Sequence, residues 1–292
     1  MKNLFLKCIC FFVCFVVLKL NSYAQVLDAP PLNGVYERKN TPTRKPIPYC
    51  NLREADVMWT KRVWRIVDMR QKINHPLYYP TTPIGNYQNL MLNLMDGILK
   101  EGSITLYNIN VSAMSDDNEF NIRLSTEEAK EKFGTKYDTT VQEDIETGQM
   151  VQKVLEEKFD PGTVKKFLIK EDWFFDRQRS VMDVRIIGIC PYSARNLGDI
   201  EADEPIAWIY FPQARNILAS KDVFNRANTA ERRTFDDIFM KRMFDSYIFA
   251  TENVYNDRTI AAYIGEDGID QLLESDKIKN DIFLIEHDLW EF

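Results

Sequence analysis

The sequence predicts an α+β fold: an antiparallel β meander covered by helices and preceded by an extended proline-rich arm. Three observations carry this. Between Thr163 and Pro212, three β-rich runs are joined by short links. Helical patterns flank that region on both sides in sequence, which suits a sheet that needs at least one face covered. Five prolines (Pro30, Pro31, Pro42, Pro46, Pro48) fall within residues 25–50, where fixed φ and missing donors favour extended chain. No 20 to 50 residue repeat is present, so a solenoid is excluded.

Residues 1–24 read as a signal peptide. Lys2 and Lys7 form a positive start, Cys8 to Leu18 is an unbroken apolar run, and small residues precede a cut after Ala24. The run is shorter than the roughly 20 residues that span a bilayer. A lipoprotein would need cysteine directly after the cut, and Gln25 stands there. The expected location is therefore the periplasm, with no lipid anchor on this chain. Residues 25–50 form the arm, which carries Val35, Tyr36, Ile47 and Tyr49. Residues 51–292 form the α+β domain, with an internal boundary placed at 134–162.

Within that domain, Ala55, Trp59, Val63 and Ile66 recur at helical spacing, so a helix is expected over 54–70. His75-Pro76 and Pro80 stop it, and His75, with no second ligand nearby, reads as structural. A second helix is expected over 87–100, with Leu90, Met91, Leu94 and Ile98 on one face and Gly102 ending it. Residues 103–109 read as a strand. Ser125 with Glu128 is a capping box for a short helix ending near Gly134. Residues 134–162 are polar and acidic and read as an irregular excursion with a helix near 151–158.

The meander follows: strands over 164–175, 180–190 and 205–211, with a turn at 176–179 and Pro212 ending the third. Asn228 with Glu231 marks a helix start, and the helix is expected to run to Phe249. A last helix over 269–289 uses Ile269, Leu272, Leu273, Ile278, Ile282 and Ile285 as its apolar positions.

Charge and composition narrow the function. Lys plus Arg is 37 and Asp plus Glu is 44, a net of -7. Removing the leader takes away Lys2, Lys7 and Lys19 and no acids, leaving 34 basic against 44 acidic, a net of -10. This disfavours nucleic acid and polybasic membrane contact. Two histidines, His75 and His287, exclude a multi-histidine metal site. Of five cysteines, three (Cys8, Cys10, Cys14) leave with the leader. Cys50 and Cys190 either pair in an oxidising compartment or stay separate thiols.

No GxSxG, HExxH, GxGxxG, GxxxxGK[ST], CxxC or DxDxDG motif occurs. No catalytic residue, metal or cofactor is therefore assigned. The clearest enzyme-like feature is Glu171-Asp172-Trp173-Phe174-Phe175-Asp176, where acids beside aromatics resemble a glycosidase cleft. On a strand, Asp172, Phe174 and Asp176 share one face and Glu171, Trp173 and Phe175 the other. The plain expectation is two aromatics in the core with acids at the rim. The rival expectation is a glycan-active or glycan-binding protein using the Asp172/Trp173 region. Asp236-Asp237 reads as a solvated first helical turn.

Several long strings carry a resemblance: DVMWTKRVWRIVDMRQKINHPLYYP (56–80), EDWFFDRQRS (171–180), WIYFPQARNILA (208–219) and FNRANTAERRTFDDIFMKRMFDSYI (224–248). They resemble the gliding motility protein GldN family, called PorN in non-gliding relatives. The resemblance implies a non-catalytic periplasmic component of the type IX secretion system. It implies a ring formed with the outer-membrane lipoprotein GldK (PorK) and contact with the periplasmic part of GldM (PorM). Membrane association would be indirect, through the lipoprotein. A soluble chaperone for secreted cargo is a further alternative. Interfaces favour Trp, Tyr, Met and Arg, so the candidate interaction residues are Trp59, Arg62, Trp64 and Arg65, with Tyr36, Ile47 and Tyr49 of the arm.

Overall fold

Residues Val57–Asp68 form a strand, β1, where helical spacing predicts a helix over 54–70. The reason is two-sided burial. Val63, Trp64, Arg65, Ile66, Val67 and Asp68 are all buried, so apolar residues occur at every phase and mimic a helical stripe. The β-branched and aromatic content of the run settles the backbone as strand.

The computed structural model describes residues 41–109, 120–143, 150–197, 200–228, 230–255, 257–265 and 267–289, all within one compact unit, Asn40–Phe292. β1 lies between β5 (Val164–Asp176) and β9 (Tyr247–Thr251), antiparallel to both. β5 pairs with β6 (Val181–Leu197) through the tight turn expected at 176–179. The other edge of β6 takes β7 (Ile200–Pro205) over Tyr192–Leu197 and β8 (Trp208–Tyr210) over Gly188 and Ile189. β2 (Leu106–Tyr107) closes that side, giving the order β2-β8-β6-β5-β1-β9 with β7 beside β6. The antiparallel meander is present, enlarged by a strand from each end of the domain.

A separate hairpin, β3 (Thr135–Glu143) with β4 (Met150–Lys158), replaces the irregular excursion and the helix expected near 151–158. Its register, from Thr135↔Lys158 to Glu143↔Met150, pairs backbone with backbone and so demands no apolar alternation in the sequence.

The helices are α1 (His75–Tyr78), α2 (Leu90–Met95), α3 (Thr126–Phe133), α4 (Phe211–Ser220), α5 (Phe235–Met240), α6 (Ile260–Ile264) and α7 (Gly268–Asp288). α2 continues as a wider turn over Asp96–Lys100 and ends at Gly102, whose φ of 63° is the left-handed stop expected there. α3 opens on the expected Ser125–Glu128 capping box. α4 corrects the reading of Pro212: the proline sits in the first helical turn, where its missing N–H is harmless, and starts a helix instead of ending a strand. α5 also departs from expectation. It starts at Thr234, not Asn228, with a Thr234/Asp237 box. It stops because Arg242 turns left-handed (φ 51°), and the alternating Tyr247–Thr251 then forms β9.

One face of the sheet carries the main core, where Val67, Phe167, Ile169, Ile189 and Ile209 meet α2, α4 and α5. Farther along the same face, Val63 and Ile248 meet Ile260 of α6 and Ile278 and Ile282 of α7. The opposite face holds a smaller cluster of Trp64, Ile66, Leu168, Cys190 and Trp208. α7 covers the edge strand as well: the Ile248 backbone N–H donates to Ser275 Oγ at 2.8 Å.

Candidate functional site

The β1–β5 register joins the two regions that the sequence singled out separately. Lys61 pairs with Trp173, Arg62 with Asp172, and Val63 with Glu171. Because strand side chains alternate, Arg62 and Asp172 project on one face and Arg65, Glu171 and Trp173 on the other.

On the helix-covered face, Glu171 is wholly buried and accepts from four donors. These are Arg65 Nε, Trp173 Nε1 at 2.7 Å, and Arg242 Nη1 at 2.8 Å and Nη2 at 3.3 Å. Arg65 is 5% exposed. Both guanidiniums also lie against the Trp173 ring, at 5.7 Å (Arg65) and 5.1 Å (Arg242). Burial alone would raise the Glu171 pKa, but Arg242 and Arg65 together hold it below the ordinary carboxylate value. Burial lowers the Arg65 pKa and Arg242 adds to this, while Glu171 opposes it.

This cluster floors a cavity of about 260 Å³ between the sheet, the segment after α5 and α7. Trp173, Phe244, Ile282 and Phe283 supply its apolar walls, and the exposed Lys279 and Asp245 and the half-buried Glu286 also line it.

The expectation of acids at a solvated rim is corrected here: Glu171 and Asp176 are buried, and Asp172 is half-buried against Arg62 at 2.8 Å. A glycosidase needs one carboxyl kept protonated as the acid. Glu171 is held ionised and points away from Asp172, so this pair is built to hold charge and not to pass a proton. Among the described residues no cluster of three or more His, Cys, Asp and Glu could hold a metal ion.

The other predicted residues are dispersed. Trp64 is buried on the opposite face, with Lys170 Nζ 5.5 Å from its ring. Trp59 is half-buried beside Val63 and Ile248. Tyr36 lies outside the described residues. Tyr49 is held between Arg215 (4.4 Å) and Arg185 (5.1 Å) of its own domain, and burial pushes its phenol pKa up. Arg215 also donates to the Ile47 carbonyl at 2.7 Å, although the Ile47 side chain is exposed. The end of the arm is thus tied to this domain. Cys50 is exposed and Cys190 buried, and both stand as thiols.

Several positions in these buried clusters were missed. Arg242 lay inside the expected 228–249 helix, and its left-handed φ leaves no mark in a single sequence. Asp236 and Asp237 are not a solvated turn. Asp236 is buried against Arg215 at 2.8 Å, and Asp237 takes Arg44 of the arm at 2.9 Å.

The C-terminal helix departs from expectation too. Ile269, Leu272, Leu273, Phe283 and Leu284 are exposed, while Ser275, Ile278 and Ile282 are buried. At about 100° per residue, the exposed five fall within a stripe about 120° wide on the far side of α7 from the buried three.

The sequence profile of the "Gliding motility associated protein GldN" family matches residues 52–291. The chain belongs to the GldN family. The family is that of a gliding-motility and type IX secretion component, and it is not a known enzyme family. A search of curated proteins finds no match. The match covers β1 through α7, including every residue of the Arg65–Glu171–Arg242 cluster.

Proposed function

We propose that this GldN-family chain is a non-catalytic periplasmic subunit of the type IX secretion apparatus. It forms a ring with the GldK/PorK outer-membrane lipoprotein and contacts the periplasmic part of GldM/PorM. Family membership supports the apparatus. The observation that supports an assembled subunit is the outward apolar stripe of α7. A helix that buries one face and leaves leucines, isoleucine and phenylalanine on the opposite face has a second surface to cover. The occupant proposed is the neighbouring ring subunit, because ring closure needs a head-to-tail contact between unlike surfaces. The proline-rich arm is the element proposed to reach the lipoprotein.

The test is co-purification from envelopes. Leu273→Glu with Leu284→Glu places two charges on the stripe without touching the buried Ile278 and Ile282 or the cavity-lining Phe283. It is expected to release the chain from the large complex with its melting temperature kept. Deleting residues 25–40, which keeps the Arg44 and Ile47 contacts to the domain, is expected to weaken recovery with the lipoprotein specifically. A complex that survives the α7 double substitution intact would sink the role given to that helix.

A further inference from the structure

Two guanidiniums, Arg65 and Arg242, line the floor of the 260 Å³ cavity, and the Glu171 carboxylate that pairs with both is buried beneath it. Arg65 spends its Nε on Glu171. Its two terminal amino groups donate to no described residue, and neither is a fully buried atom left unpartnered, so both open onto the cavity that the side chain lines. An arginine carries five N–H donors in a fixed fork, and these are left for whatever fills the cavity. Arg242 is held in place at a left-handed φ of 51°, a conformation that a residue with a side chain adopts at a cost. The floor therefore keeps one positive charge in excess, beside a face of Trp173.

We propose that this floor binds a single carboxylate group carried on an apolar or aromatic body. The planar fork matches a carboxylate in bidentate fashion. Trp173, Phe244 and Phe283 supply walls for the body. An apolar cavity of about 150 Å³ holds a benzene molecule, so about 260 Å³ has room for a phenyl ring and its carboxylate. A doubly charged anion fits less well. Its second charge would meet two acids of the lining, Asp245 and Glu286, with Lys279 as the one lining cation besides the two arginines. The carboxylate could come from a free carboxylic acid or from the C-terminus of a peptide. This site does not rest on the ring reading: it concerns the sheet side of α7 and shares only Phe283 with the outward stripe.

The test uses the full mature chain, residues 25–292, with calorimetry and the indole N–H resonance of Trp173, assigned by Trp173→Phe. The probes are phenylacetate, benzyl alcohol and inorganic phosphate, and a tripeptide ending in phenylalanine as the acid and as the amide. Phenylacetate is expected to shift the Trp173 resonance and to bind at least about tenfold tighter than the alcohol or phosphate. Arg65→Met is expected to weaken it about tenfold or more. Because that change touches the core, Arg242→Gly gives a second reading: it relieves the left-handed residue, keeps the Arg65–Glu171 pair, and should weaken binding with the fold intact. Tighter binding of the tripeptide acid than of phenylacetate assigns a chain terminus as the source, and no preference assigns a free acid. A Trp173 resonance unmoved by phenylacetate, equal affinity for the alcohol or phosphate, or binding indifferent to both arginine substitutions would overturn the proposal.

Discussion

Replacing Glu171 by glutamine removes the one negative charge from a buried cluster that holds two positive ones. The structure separates what can relax from what cannot. Arg242 has a side chain 26% exposed and can turn toward the cavity mouth, whereas Arg65, at 6%, has nowhere to go. The cost is then that of one uncompensated buried charge, about 3–5 kcal/mol. For a domain of this size that lowers the melting temperature by about 6–20 °C. The neighbouring Asp172→Asn is the internal control. It breaks an ion pair whose partners are 26% and 29% exposed, so its cost is about 0–1 kcal/mol. Urea unfolding of the two variants, followed by circular dichroism, gives the comparison directly. If Glu171→Gln and Asp172→Asn lie within about 0.5 kcal/mol of each other, the buried cluster is not the charge anchor described here.

The remaining predictions concern acid, packing and a helix cap. The Glu171 pKa is held below its ordinary 4.5 in the folded chain, so the stabilisation it brings is complete above that value and is lost as pH falls through the lower folded one. Wild type should therefore lose stability more steeply than Glu171→Gln as urea midpoints are measured downward from pH 4.5; parallel losses would contradict this. Gly188→Ala should cost about 1–3 kcal/mol by overpacking, since a Cβ there would meet Phe120 Cζ at 2.5 Å and Trp208 Cε3 at 3.1 Å. An unchanged melting curve would contradict that packing. Thr234→Ala should cost about 1–2 kcal/mol, because the buried hydroxyl accepts from the Asp237 backbone at 3.2 Å and donates to its carboxylate at 3.0 Å. A loss in urea titration near zero would mean the box does not hold α5.

How far the sequence could be read depended on how each segment meets water. β5 and the start of β6 were legible because β-formers run between clear turn residues. α2 and α3 were legible because a left-handed glycine and a capping box mark their ends; α7 was legible in extent, but three of its six apolar positions, Ile269, Leu272 and Leu273, turned out exposed. β1 was not, because a strand buried on both faces has no alternation, and its apolar residues satisfy a helical template equally well. The 228–249 run failed at Arg242: a left-handed arginine stops a helix in space without the glycine that announces it in sequence. The β3–β4 hairpin was missed because a polar, acidic run gave no strand pattern to find, while its ladder is one of backbone pairing. For the site, Arg65 and the Glu171–Trp173 run were both visible as unusual residues, but their meeting is a fact of register between strands about 100 positions apart. The long aromatic strings were enough for the family, which residues 52–291 carry as a whole.

Crosslinking mass spectrometry on intact envelopes tests the assembly claim most directly. Lys277 and Lys279 are exposed on α7 and can report its neighbours. The account predicts crosslinks from these lysines to a neighbouring ring subunit, and links from the proline-rich arm to the lipoprotein. Links from α7 confined to this chain's own domain, in a protein that fractionates as a free monomer, would contradict it.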